Sequence, residues 1–191
     1  MKPRAARAAF FLLLLVIAAW GIVLFGMGPS AIIERIGISQ GYLLAFVAAA
    51  IGGFSSLTAA PFFALIAGLS AAGLHPLLLG VAGGAGLTIG DSLFFWLGKT
   101  GRTALPTKTK RRQERWAAWL AKRPAWLIPL IVLVYASVVP LPNDILTVSL
   151  GLAGYQYRLM IVPLLLGDIA FTTLVAFTGA EAWEAIATSL A

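Results

Sequence analysis

Two prolines set two residues apart, Pro140 and Pro142, cut a strongly apolar stretch in half. Each lacks a backbone N–H and pushes its predecessor out of helical geometry, so no continuous helix runs from residue 125 to residue 154. Two apolar arms remain, 125–139 and 145–154, joined by Ser137-Val138-Val139-Pro140-Leu141-Pro142-Asn143-Asp144. At about 1.5 Å per residue neither arm covers the ~30 Å hydrocarbon core of a bilayer. An asparagine and an aspartate stand at the joint, and polar groups at membrane depth are costly enough to mark function. The stretch predicts a re-entrant hairpin with a polar tip.

A membrane is implied by composition, 60% hydrophobic and 11% charged, against about 25% charged in soluble domains. The 191 residues leave room for one membrane domain. The net charge of +7 is bunched rather than spread. Lys2, Arg4 and Arg7 precede the first apolar run, and nine cations lie between Lys99 and Arg123. Arg158 follows the second hairpin, and Arg35 sits beside Glu34. This is the positive-inside pattern. It places the N-terminus and the 99–124 loop in the cytoplasm and argues against a nucleic-acid partner; a multi-pass protein of a prokaryotic inner membrane is expected. Residues 108–123 could form an amphipathic helix on an anionic leaflet, with Trp116, Trp119 and Leu120 on one face.

Residues 8–28 form an apolar run of about 31 Å as a helix, long enough to span and longer than a signal-peptide core. Residues 29–40 fit a short interfacial helix. The arms 41–54 and 61–73 flank Ser55-Ser56-Leu57-Thr58-Ala59-Ala60, a turn closed by Pro61. Together, residues 41–73 predict a first re-entrant hairpin; two tilted full helices have the same parity, so charge does not separate the alternatives. Residues 77–98 span, are dense in glycine for close helix packing, and carry Asp91. The second hairpin, 125–154, is followed by a span over 159–180 carrying Asp168 and by an acidic tail, 181–191. The fold expected is all-α: an inverted-repeat bundle with two re-entrant hairpins and about three full transmembrane helices.

The halves repeat. Pro61 and Pro142 each open a second arm, Gly73 and Gly154 follow twelve residues later, and Gly90-Asp91 and Gly167-Asp168 lie in the spans that come next. An odd number of crossings between copies inverts the second, as in transporters that build a two-sided site from broken helices.

The segment 54–179 resembles the DedA/VTT (SNARE-associated) membrane proteins. The resemblance rests on Ala60-Pro61 through Ala67-Gly68-Leu69 and Gly73, on Gly86-x3-Gly90-Asp91-x6-Gly98-Lys99-x-Gly101-Arg102, and on Val139-Pro140-Leu141-Pro142-Asn143-Asp144 with Gly151-Leu152-Ala153-Gly154. It implies two re-entrant hairpins in an inverted repeat. It also implies movement of lipids between leaflets, of polyprenyl phosphates in bacteria and phospholipids in eukaryotes, coupled in some members to the proton-motive force. Many members carry an acid in the first hairpin, where this chain has Ser55, Ser56 and Thr58, and arginines near the second tip, where it has Asn143 and Asp144.

Asp144, with Asn143 beside it, is the leading proton or substrate site on this reading, with Asp91 and Asp168 as a symmetric pair flanking a cavity. The hydroxyls of Ser55, Ser56 and Thr58 and the helix breaks at Pro61, Pro140 and Pro142 complete the site. Lys99 and Arg102 would meet lipid headgroups, and His75 lies at the outer interface. The functions in view are a lipid flippase or scramblase, a secondary transporter of a small ion or solute, and a non-transporting scaffold or assembly protein. No Ser-His-Asp or metal-ligand constellation supports an enzyme, no cofactor or metal is expected, and with no cysteine there is no thiolate chemistry. Membrane lipids are the expected partners, and homo-oligomerisation is compatible with the sequence.

Overall fold

The computed structural model describes residues 33–34, 37–52, 56–102, 114–116, 118–120, 122–139 and 143–190, with backbone alone for 52, 56–61 and 183–190. Among these residues six helices carry the fold: α1 (Ile38–Gly52), α2 (Ser56–Ala71), α3 (Pro76–Gly101), α4 (Leu127–Val138), α5 (Asn143–Ala153) and α6 (Tyr157–Leu190). No strand occurs among the described residues. Two helical stretches of 26 residues, α3 and Tyr157–Ala182 of α6, are long and apolar enough to cross a membrane. The third span expected, 8–28, lies outside the described residues, as do residues 29–32.

Local chemistry sets most of the helix ends. Pro76 occupies the first position of α3, where its missing N–H would have no partner. α5 begins at Asn143, directly after Pro142. α2 and α5 end alike. Gly73 and Gly154 adopt positive φ, 94° and 75°. Leu74 N–H donates to Leu69 O at 3.1 Å, and Tyr155 N–H to Leu150 O at 3.0 Å. Each is a Schellman cap, which only glycine enters without strain. Gly73→Ala is expected to cost about 1 kcal/mol from backbone strain alone, since open space surrounds its missing Cβ. Gly101→Ala, equally uncrowded but with no positive φ, should leave the unfolding midpoint in detergent unchanged.

Three expectations are corrected. The turn placed at 55–60 is helical from Ser56 onward, and Pro61 falls inside α2. As the sixth residue of α2, Pro61 removes the one backbone bond that an N–H there would make to the Leu57 carbonyl, and the helix runs on through it. The tail 181–191 is helical to Leu190, because nothing in Ala-Glu-Ala-Trp-Glu-Ala stops α6. Of the basic amphipathic segment, 114–116 and 118–120 are described and helical. Trp116 and Trp119 pair at 5.6 Å and stay exposed, whereas Leu120 turns into the core. Leu120 lies about 100° round the helix from Trp119, enough to part the two environments.

α3 and α6 form the central pair and run antiparallel, Gly80 meeting Thr173 and Gly84 meeting Ile169. The short helices are shared between them crosswise. α1 packs on α3, where Gly86 meets Phe46 and Ala49; α4 packs on α6, where Gly167 meets Leu133 and Ala136. The second arms cross over: Gly98 of α3 meets Val148 of α5, and Gly179 of α6 meets Ala67 of α2. One offset of 81 residues relates Ala67 to Val148, Gly73 to Gly154, Gly86 to Gly167 and Gly98 to Gly179. The buried clusters obey it too. Leu69, Leu79 and Ala176 lie in one, and their equivalents Leu150, Met160 and Phe95 in the other.

This contact register differs from the one marked by the Gly-Asp dipeptides. Gly90-Asp91 and Gly167-Asp168 are separated by 77 residues, so they sit four residues, one helical turn, out of correspondence. The structural equivalent of Asp91 is Thr172, and that of Asp168 is Leu87. The two acids are therefore not a symmetric pair.

Candidate functional site

The crossing of α3 and α6 brings the deepest polar groups together. Asp91 stands ten residues before the end of α3, and Asp168 is the twelfth residue of α6. They are 4% and 0% exposed. The close approach follows from Gly80 and Gly84, which form with Thr88 and Ser92 a ridge of small residues spaced four apart on α3. Thr88, also buried, donates its hydroxyl to Oδ2 of Asp168 at 2.7 Å.

α5 supplies the third side. Its first residue, Asn143, donates Nδ2 to Oδ1 of Asp168 at 2.8 Å and lies beside the Asp91 carboxylate. An amide nitrogen has two N–H donors, so with one N–H on Asp168 the side chain keeps a second N–H beside Asp91 on the other long helix. Buried Thr147, one turn on, returns its hydroxyl to the Asn143 carbonyl at 3.0 Å and steadies that first turn. Among the described residues no lysine or arginine pairs with either carboxylate.

Proton counting exposes a choice at Thr88. Its oxygen lies 2.7 Å from Asp168 Oδ2 and 2.9 Å from Gly84 O, but the hydroxyl owns a single hydrogen. With Asp168 ionised, that hydrogen goes to the carboxylate. With Asp168 protonated, the acid donates to Thr88, and Thr88 donates to Gly84. Both states keep the same heavy-atom positions. A row of hydroxyls then leads away: Ser92 donates to Thr88 O at 2.6 Å and lies 2.8 Å from the Tyr157 hydroxyl, at the start of α6.

The structure thus brings together Asn143, Asp91 and Asp168. Asp144 lies beside them, near enough to act electrostatically on Asp91 and on Tyr135 of α4. Its Oδ1 accepts the Ile145 N–H at 2.8 Å, one of the first-turn amides of α5 that have no partner within the helix. Ser55, Pro140 and Pro142 lie outside the described residues; Ser56, Thr58 and Pro61 are described as backbone of α2 only. Lys99 and Arg102 are exposed at the far end of α3, about 12 Å or more of helical rise from Asp91. Lys99 sits over the Trp96 ring at 4.7 Å, and Arg102 lies against Gly154 at the α5 C-terminus, where bare carbonyls favour a cation. His75 donates its backbone N–H to the Tyr42 hydroxyl at 3.0 Å. Thr88, Ser92 and Tyr157 are the site residues that sequence reasoning passed over. Their signal was the four-residue spacing that runs from glycines into hydroxyls on α3.

No family model, curated protein or solved structure matches the chain.

Proposed function

We propose that the chain is a multi-pass membrane transporter of DedA-like design, moving a lipid between leaflets with the Asp91–Asp168 pair as its proton-coupling site. The observation that carries the reading is the Asn143 clamp, in which the first residue of a short helix bonds the buried carboxylate of one long helix and lies beside that of the other. Two buried acids with no fixed cation among the described residues call for a mobile positive charge, in the simplest case a proton, because an unpaired buried charge is costly. Binding or release of that charge changes what Asn143 and Thr88 bond to, and so changes how α5 is held.

The inverted-repeat and re-entrant reading belongs to this proposal. The 81-residue recurrence of contacts about an antiparallel pair supports it. So do the lengths of α1, α2, α4 and α5, at most 16 residues or about 24 Å each. On this reading α5 begins at mid-depth beside the acids and ends at the cytoplasmic surface, where Lys99 and Arg102 meet headgroups. That no arginine among the described residues pairs with the acids favours a second reading, transport of a small cation, over direct phosphate binding there.

Reconstitution in phosphatidylethanolamine–phosphatidylglycerol liposomes separates them. Wild type should speed exchange of a fluorescent lipid in a manner that depends on an imposed pH gradient. Asp168→Asn should lower that rate about a hundredfold, the effect of losing roughly 2.7 kcal/mol of barrier lowering. Lipid exchange equal to that of protein-free vesicles, with cation uptake present, would replace the first reading by the second.

A further inference from the structure

We propose that the α3–α6 seam is a through-going proton file, with Ser92 and Tyr157 leading to the acid pair from one end and Thr172 and Thr173 from the other. The inference rests on the proton-coupled reading and deepens it by assigning the route.

Hydroxyls in helices ordinarily satisfy themselves on their own backbone four residues back. Thr100, Ser137, Ser149 and Thr178 do so here, at 2.6–2.9 Å. Thr172 and Thr173 do not. Both hydroxyl oxygens are buried without a hydrogen-bond partner, and Thr172 is 0% exposed. A buried polar group left without a partner is rare and costly, and water is its usual remedy. Thr172 stands one turn beyond Asp168 on α6, and Thr173 lies against Gly80, near the start of α3. The two threonines therefore extend the polar line from the acids toward the end where α3 begins.

The opposite half is bonded except at one step. Tyr157 meets Ser92, Ser92 bonds the Thr88 backbone carbonyl, and the Thr88 hydroxyl meets Asp168. A backbone carbonyl does not relay a proton, so the proposed file takes one water between the Ser92 and Thr88 hydroxyls. In each transfer a hydroxyl accepts a proton on oxygen and passes its own hydrogen onward, so Thr88 is regenerated as Oδ2 of Asp168 is protonated. The 81-residue register gives the halves a common origin in the fold, since Ser92 corresponds to Thr173 and Asp91 to Thr172. Phe62, the equivalent of Asn143, approaches with Ile66 the same stretch of α3 as Thr172, at Gly83, and makes that end the drier one. The titratable groups around the acids are Asp144 from α5 and Tyr135 from α4, with Tyr157 at the head of the file. The described side chains that α2 brings there, Phe62 and Ile66, do not titrate.

The test uses the full chain, inserted unidirectionally in liposomes, with pH stepped on one side and protonation followed by the infrared carboxylic C=O band of Asp91 and Asp168. Ser92→Ala/Tyr157→Phe should slow protonation about tenfold from the Tyr157 side only. Thr172→Val/Thr173→Val should do so from the other side only. Thr178→Val, bonded to its own helix, is the control and should change neither rate. An unchanged band amplitude in the variants shows that the acid pair is intact. Wild-type rates with that amplitude overturn the file alone. A wild-type protein whose carboxyl band does not respond to pH overturns the proton-coupled reading, and the file with it.

Discussion

Asn143→Leu is expected to destabilise the folded chain by about 3 kcal/mol. Asn143 donates to Asp168 and lies beside Asp91, both buried and neither paired with a cation among the described residues. Leucine fills similar space, so the loss comes from acceptors left bare and not from a cavity. The asymmetry of hydrogen bonding sharpens the prediction: removing one partner is costly, while removing both is nearly neutral. Adding Asp91→Ala and Asp168→Ala to Asn143→Leu should therefore recover at least half of the lost stability, although lipid exchange stays at background in both variants. Reversible denaturation in mixed micelles gives the stability, and liposome exchange gives the activity. A loss below about 1 kcal/mol for Asn143→Leu would mean that the clamp is incidental to the packing of α5.

How much of this was legible beforehand divides by the range of the interaction. Local chemistry was readable. Pro142 set the start of α5 and the αL glycines set the ends of α2 and α5, because these depend on a few neighbouring residues. The spans of α3 and α6 followed from uninterrupted apolar length. The trio Asn143, Asp91 and Asp168 was also visible, since polar residues inside apolar runs are conspicuous. Register was legible only in part. Pro61 with Pro142 and Gly73 with Gly154 already stand 81 residues apart, but the Gly-Asp dipeptides stand 77 apart, and which offset holds is decided by packing across helices, where it is 81. Asp144 outranked Asp91 in the sequence because it stands beside the proline break. In the fold that position serves the first turn of α5, and the deeper pair holds the clamp. Thr88 and Ser92 went unremarked because hydroxyls are common in apolar helices, where they bond their own backbone. Only the facing helix shows that Thr88 also meets an acid.

Gly84→Val should have the largest structural effect of any single change on α3. A Cβ at residue 84 would lie 2.6 Å from both the Cα and the N of Ile169. Those atoms are backbone, so no side chain can swing aside, and α3 and α6 must separate. Overpacking of this kind costs typically up to about 3 kcal/mol. Here the damage spreads, because Thr88 is one turn further along the same ridge and its 2.7 Å bond to Asp168 depends on the helices' separation. Gly86 and Gly167 extend the reasoning, since they are equivalents in the 81-residue register and each faces a neighbouring short helix, α1 and α4 respectively. Gly86→Val should loosen α1 and Gly167→Val should loosen α4, whereas Gly84→Val loosens the axis on which both halves hang. Hydrogen exchange separates these outcomes. Gly84→Val should raise exchange along α3 and α6 together, and each of the other two should raise it mainly in its own short helix. Equal, local effects for all three would show that the halves fold independently and that the α3–α6 seam is not what joins them.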